Sequence, residues 1–280
     1  MFNSNFSKGH AIALIGAFVL SMDTLFLRLI DSDPAVVAFW RGVLMFVAGG
    51  GVFLAIHRFS GHSIVKYSLK GYAVALFYGA ASIFFTFSAM STGVANLLII
   101  LSTTPLWAAI GSYLFLKEGI SAKTITSCLL AFLGMLVIFT GKIGTGLNSG
   151  DFFALMAAFC MAGAFILSRV CKDNLLLAPC LGGGMSAVFL LPFVISDDIF
   201  AINNPLFMLI EGGVIMPVAL GCLAVAPRFI RADKVSLFLL LETILGPFWA
   251  YIFLNEPVST YTFLGGFIVI SALLFNVSRA

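Results

Sequence analysis

Asp23, Arg41 and Glu242 each sit inside a long apolar run of a chain in which only 10% of residues are charged. An ionised side chain at the middle of a bilayer costs about 2.5 to 3.5 kcal/mol on insertion scales, so each needs a reason to be there. Asp23 and Glu242 have no basic residue three or four positions away that could neutralise them along their own helix. Both carboxylates therefore suit the positive part of a solute or a coupled proton, and Arg41 suits a carboxylate or Asp23 itself. A purely structural pairing of Asp23 with Arg41 stays open, with Arg28 as an interfacial competitor. Glu211 lies about five residues into its run and reads as an acid that reaches the outer interface by extending its side chain. Glu118 and Glu256 lie at helix ends and read as caps or as fixtures of short hairpins.

Uncharged polar residues mark the faces that could be wet. Tyr78, Ser82 and Thr86 recur every fourth residue and share one stripe of a helix. Asn96 and Thr103 stand seven apart, with Trp107 a turn further on, and Ser236 and Thr243 repeat that spacing beside Glu242 and Trp249. Trp40, Trp107, Trp249 and Tyr78 offer surfaces for stacking or for a cation. The competing reading is that Ser and Thr bond their own helices or hold helices together.

These residues must be positioned by membrane helices. Hydrophobic residues make up 61% of the 280 positions and mean hydropathy is +1.12, which excludes a water-soluble enzyme. Ten apolar runs, each long enough to span, extend over His10–Ile30, Pro34–Ile56, Gly71–Met90, Val94–Leu116, Ser121–Gly141, Phe152–Val170, Leu176–Ile195, Leu206–Ile230, Val235–Leu254 and Thr260–Val277. They lack the alternation of outer-membrane strands, so an all-α membrane protein of ten helices is expected. With the N-terminus in the cytoplasm, the cytoplasmic side receives Lys8, Arg58, Lys66, Lys70, Lys117, Lys123, Arg169, Lys172, Arg228, Arg231, Lys234 and Arg279, and the other side only Arg28 and Lys142. This bias predicts a multi-pass protein of a bacterial inner (plasma) membrane with both termini cytoplasmic.

Several functions drop out. The net charge of +3 follows from topology and gives no reason to expect nucleic-acid binding. The five cysteines show no metal spacing, and His10, His57 and His62 lie at or beyond the ends of runs, so neither a metal site nor a catalytic triad is expected. No G-x-x-x-x-G-K-[ST] loop occurs, and no cofactor is expected.

The chain repeats itself. Pro105 through Leu116-Lys117-Glu118 corresponds to Thr243 through Leu254-Asn255-Glu256 at an offset of 138, and Ala13-Leu14 with Arg28 corresponds to Ala154-Leu155 with Arg169 at an offset of 141. Two five-helix units are expected, 1–143 and 144–280, and an odd number of helices makes the second enter the membrane from the opposite face. Such inverted repeats suit alternating access around a central site. Pro105, Pro217 and Pro247 are expected to interrupt helices.

At this level of detail the sequence resembles the EamA-type members of the drug/metabolite transporter superfamily. Leu240-Leu241-Glu242-Thr243-Ile244-Leu245-Gly246-Pro247-Phe248-Trp249 is similar to the family's ninth-helix pattern, Pro105 with Leu116-Lys117-Glu118 to its fourth-helix counterpart, and Phe39-Trp40-Arg41-Gly42 to its second-helix arginine motif. The resemblance implies a pocket lined by the first, third, fourth and ninth helices, and a small-molecule substrate drawn from amino acids, other metabolites, organic cations or drugs. Two acids against one base favour a zwitterionic or cationic solute over a sugar phosphate. The expected activity is secondary transport of an amino acid-like zwitterion or organic cation, with proton coupling as an option. Efflux of drugs or lipid-like solutes and a solute channel are the alternatives.

Overall fold

The computed structural model describes residues 2–60, 67–91, 94–119, 122–138, 149–195 and 199–254, and, between 264 and 275, residues 264, 265, 267, 268, 270–272 and 275. Among these residues all regular structure is helical. In chain order the helices are α1 (Phe2–Leu20), α2 (Asp23–Ile30), α3 (Pro34–Ser60), α4 (Leu69–Ser91), α5 (Val94–Leu101), α6 (Thr104–Leu116), α7 (Ala122–Ile138), α8 (Ser149–Val170), α9 (Ala178–Val194), α10 (Pro205–Ile210), α11 (Met216–Val225), α12 (Ala232–Phe238) and α13 (Leu240–Leu254). A π-helical turn, Glu211–Ile215, joins α10 to α11.

Among the described residues, six helical stretches are long and apolar enough to cross a membrane: Lys8–Ile30, Pro34–Ala55, Leu69–Ser91, Ser149–Val170, Pro205–Arg228 and Ala232–Phe253. Three shorter apolar helices cover Thr104–Leu116, Ala122–Gly134 and Ala178–Val194. The tenth run, Thr260–Val277, falls largely outside the described residues, as do Glu256 and the side chains of Asn96 and Pro247.

Large apolar side chains face outward as well as inward: Phe115, Val188 and Phe193 are 79%, 73% and 61% exposed, while Tyr78, Phe165 and Met45 are fully buried beside Ala13, Ala17, Ala75, Ala158 and Ala164. Lipid tails solvate large apolar groups as well as the interior would, so they can face outward, and the small residues let backbones approach where helices cross. α4 lies along α8 and α9, and α3 also lies along α9, so the two sequence halves interleave. Closest approach falls at Gly182, where a β-carbon would collide with the Ala75 carbonyl oxygen.

Four membrane helices are irregular near their middles. α1 and α2 part at Ser21–Met22, α5 and α6 at Ser102–Thr103, and α12 and α13 at Leu239, while the π turn distorts the fourth. Local hydroxyls satisfy carbonyls at the first three: Ser21 Oγ donates to Phe18 O at 2.6 Å, Thr103 Oγ1 to Ile100 O at 2.6 Å, and Thr243 Oγ1 to Leu240 O at 2.6 Å. Pro105 is in the first turn of α6, and Pro217 follows the π turn, where the missing N–H of proline leaves a carbonyl one turn earlier without its usual donor. Pro247 departs from expectation: α13 runs through it from Leu240 to Leu254, and the interruption lies earlier, at Leu239.

Candidate functional site

The irregular segments converge. Leu20 and Asp23 from the α1/α2 break, Leu101 and Ser102 from the α5/α6 break, and Leu239, Leu240, Glu242 and Thr243 from the α12/α13 break all line one central cavity. α3 contributes Arg41, α4 Ser82 and Phe85, α8 Met161 and α11 Met216. The space open to the centres of water molecules is about 40 Å³, room for a few waters at roughly 10–15 Å³ each. Most of the wall is aliphatic, aromatic or thioether, with a handful of polar groups set into it.

Arg41 is the hub. Only 1% exposed, it donates through Nη2 to Asp23 Oδ2 at 2.5 Å and through Nη1 to Thr86 Oγ1 at 3.2 Å. Thr86 in turn donates to the Ser82 carbonyl at 2.9 Å. Glu211 Oε1 stands 3.1 Å from Arg41 Nε, close enough for an ion pair but without hydrogen-bond alignment. Nη2 also lies 2.8 Å from the Met216 sulfur, and the guanidinium carbon is 5.5 Å from the centre of the Phe85 ring. Two carboxylates thus hold one guanidinium in a dry place, where removing every partner from a charge costs several kcal/mol.

Glu211 corrects the sequence expectation. It is completely buried, on the π turn, and does not extend to an interface. Helical rise explains why. Asp23 precedes the end of its helix at Ile30 by seven residues, Arg41 follows Pro34 by seven and Glu211 follows Pro205 by six, so each lies about 9–11 Å from a helix end. Equal depth was the available signal. Gly212 lets the turn press close, since a β-carbon there would meet the Arg41 Cα at 3.3 Å.

Glu242 is held differently. It is 5% exposed, its Oε1 has no hydrogen-bond partner among the described residues, and it faces the cavity beside Thr243. The other sequence candidates divide. Asp23, Arg41, Ser82, Glu242 and Thr243 line the cavity, and Thr86 stands directly behind Arg41. Tyr78 is buried edge-on against Phe165, with ring centres 6.3 Å apart. Thr103 accepts from Trp107 Nε1 at 3.0 Å, and Trp249 Nε1 donates to Ser21 Oγ at 2.8 Å. Both tryptophans therefore brace helix breaks, and Trp40 donates to the Ile199 carbonyl at 2.7 Å. None of these three rings is among the cavity-lining residues.

A second charged cluster lies between helix ends. Arg169 Nε is 3.4 Å from Glu118 Oε1, Arg231 Nε is 3.9 Å from Glu118 Oε2 and 3.0 Å from Asp233 Oδ1. Arg169 also donates to the Pro227 carbonyl at 3.0 Å and Arg231 to that of Gly119 at 2.8 Å. Glu118 therefore does more than fix its own hairpin, because its partners lie in the other half of the chain.

The sequence pattern of the EamA-like transporter family matches twice, over residues 7–140 and 148–278. The chain belongs to the EamA-like transporter family. This EamA-like protein is accordingly a membrane protein of the drug/metabolite transporter superfamily, and the EamA-like family is one of transporters. No curated protein sequence matches it. Among solved structures, a crystal structure of a protein 13% identical to it superposes with a TM-score of 0.78 over 96% of each chain, a likeness of fold.

Proposed function

We propose that this protein is a secondary transporter of small organic cations, working by alternating access in a bacterial inner membrane. In this reading ten helices form two inverted units, 1–143 and 144–280, both termini are cytoplasmic, and the cavity opens by turns to either side. A cavity with room for only a few waters suits a contracted stage of such a cycle, which must widen to take a metabolite.

One observation carries the choice of solute. Arg41 is already engaged by Asp23 and Glu211, whereas Glu242 faces the cavity with an unpartnered oxygen. A zwitterion needs a free base for its carboxylate, and the guanidinium that lines the cavity among the described residues, Arg41, is occupied. A cation needs a free acid, which Glu242 supplies, and an apolar wall for its body, which Leu20, Phe85 and Leu240 supply. Proton exchange is a natural source of drive, since cation and proton compete for the same carboxylates.

Binding of pentylamine and of the zwitterion norvaline to the purified full chain, followed by thermal shift, tests this. Pentylamine is expected to stabilise the wild type and norvaline not. Glu242→Gln should weaken pentylamine roughly ten- to hundredfold, the worth of one hydrogen bond to a charged group at about 1.5–3 kcal/mol. Equal response to both solutes, unchanged in Glu242→Gln, would overturn the reading.

A further inference from the structure

Two threonine hydroxyls at the central cavity have already spent their hydrogens. Thr243 Oγ1 donates to the Leu240 carbonyl at 2.6 Å and Thr86 Oγ1 to the Ser82 carbonyl at 2.9 Å, so toward anything else each oxygen can only accept. Thr86 uses that capacity on Arg41 Nη1 at 3.2 Å. Thr243 lines the cavity and adjoins Glu242, whose Oε1 has no hydrogen-bond partner among the described residues. These neighbours on α13 therefore present a carboxylate and a hydroxyl that both call for donors. The donor already in the chamber, Arg41, is engaged by Asp23 and Glu211. The wall is equally plain about cations that carry no N–H. A quaternary ammonium is recognised by the faces of several aromatic rings. Among the described residues lining the cavity, Phe85 is the one aromatic side chain, and its ring centre stands 5.5 Å from the Arg41 guanidinium carbon.

We infer that the charged head of the solute is a primary ammonium, recognised through its N–H groups by Glu242 and Thr243 together. One N–H bonds Glu242 Oε1, a second bonds Thr243 Oγ1, and the apolar body lies against Leu20, Leu239 and Leu240. Each N-methyl group takes away a donor, and a buried acceptor left unpaired penalises the analogue that cannot reach it. Each also widens the head, in a chamber whose space for water centres is about 40 Å³. Glu242 supplies the charge that any cation needs, whereas Thr243 supplies an acceptor that only an N–H can use. Thr243 is thus a specificity-determining residue, and the solute class is a primary alkylamine and not a quaternary ammonium. The inference rests on the cation reading above and adds to it the identity of the head group.

The test is a methylation series on the purified full chain, read by equilibrium dialysis and thermal shift: pentylamine, N,N-dimethylpentylamine and N,N,N-trimethylpentylammonium. All three have the same five-carbon body and a single positive charge at neutral pH, and their heads carry three, one and no N–H. The wild type is expected to bind them in that descending order, with about tenfold or more between the first and the last. Thr243→Val keeps the shape and removes the acceptor, so it should weaken pentylamine and narrow its margin over the trimethyl compound severalfold. Thr243→Ser keeps the hydroxyl and should hold the margin near that of the wild type. Trimethylpentylammonium binding the wild type as tightly as pentylamine would overturn the inference while leaving the cation reading in place. A margin unchanged in Thr243→Val, or lost in Thr243→Ser, would overturn the role of Thr243. Should Thr243→Val fail to fold for want of its bond to Leu240, the series on the wild type and on Thr243→Ser decides. Absence of pentylamine binding to the wild type would instead fault the cation reading itself.

Discussion

The bundle holds two clusters of acids and arginines, and they are built to opposite rules. In the cluster of Glu118, Arg169, Arg231 and Asp233 the arginine and Glu118 side chains are 25–28% exposed, and backbone carbonyls of Gly119 and Pro227 also accept from the arginines, although Arg231 Nη2, Glu118 Oε2 and Asp233 Oδ2 have no hydrogen-bond partner among the described residues. In the central cluster Arg41 is dry, its hydrogen-bond partners among the described residues are side chains alone, and carboxylate oxygens of Asp23, Glu211 and Glu242 have no hydrogen bonds there. Water and carbonyls can replace a lost partner at the first cluster and cannot at the second. The first therefore ties the two halves of the chain together, and the second is, in the proposed reading, where a solute or a proton completes the bonding.

Removing both acids from the central guanidinium breaks the comparison most severely. The double variant Asp23→Asn/Glu211→Gln leaves Arg41 buried with no anion in direct contact, and an uncompensated buried charge costs about 3–5 kcal/mol. The double variant is expected to fail to fold or to melt far below wild type in detergent, measured by size exclusion and thermal denaturation. Each single variant keeps one acid and should lose much less. Costs of the two singles that merely add up to the double would show that the acids do not share Arg41 as a common partner.

The contrast also separates what a reader of sequence can see from what only the fold supplies. Nine of the ten apolar runs correspond to helices among the described residues, because a span must be apolar whatever its neighbours. Asp23, Arg41 and Glu242 are legible for the converse reason, since lipid penalises them and an exception stands out. The helix breaks at Ser21–Met22 and Ser102–Thr103 carry only Ser21, Ser102 and Thr103 as a signal, and the break at Leu239 carries none, lying between Phe238 and Leu240. Trp107 and Trp249 show the limit of periodicity. Spacing places them on polar stripes, but side-chain rotation at a break aims their indole N–H groups at Thr103 and Ser21 and not into the cavity. Glu211 was obscured by an assumption that an acid near a helix end extends outward, although its depth matches that of Arg41.

A milder substitution sharpens the comparison from the other side. Glu118→Gln removes the acid shared by Arg169 and Arg231, at separations of 3.4 and 3.9 Å. Because the groups are partly solvated and the arginines keep their carbonyls and Asp233, the expected loss of stability is about 0–1 kcal/mol, shrinking as salt is added. Thermal melts at low and high ionic strength check it. A loss as large as that of the central double variant would erase the distinction between tie and site.

The smallest expected effect is a pH dependence at an end of the bundle. Asp173, in the connection between α8 and α9, accepts hydrogen bonds from the Ser68 hydroxyl and backbone N–H, both at 2.7 Å, next to the start of α4. The Ser68 hydroxyl above all, then its N–H and the nearby Arg228, lowers the Asp173 carboxyl below its ordinary value of 3.8. A group lowered on folding stabilises the protein while it is ionised in both states. Its contribution is therefore full above the ordinary value and is lost as pH falls through the still lower value of the folded chain. Asp173→Asn cannot lose a charge, so the variant should show a slightly lower melting temperature than wild type at neutral pH and a difference that vanishes in acid. The same difference at both pH values would mean that Asp173 matters for shape alone, and not for the charge it offers to the start of α4.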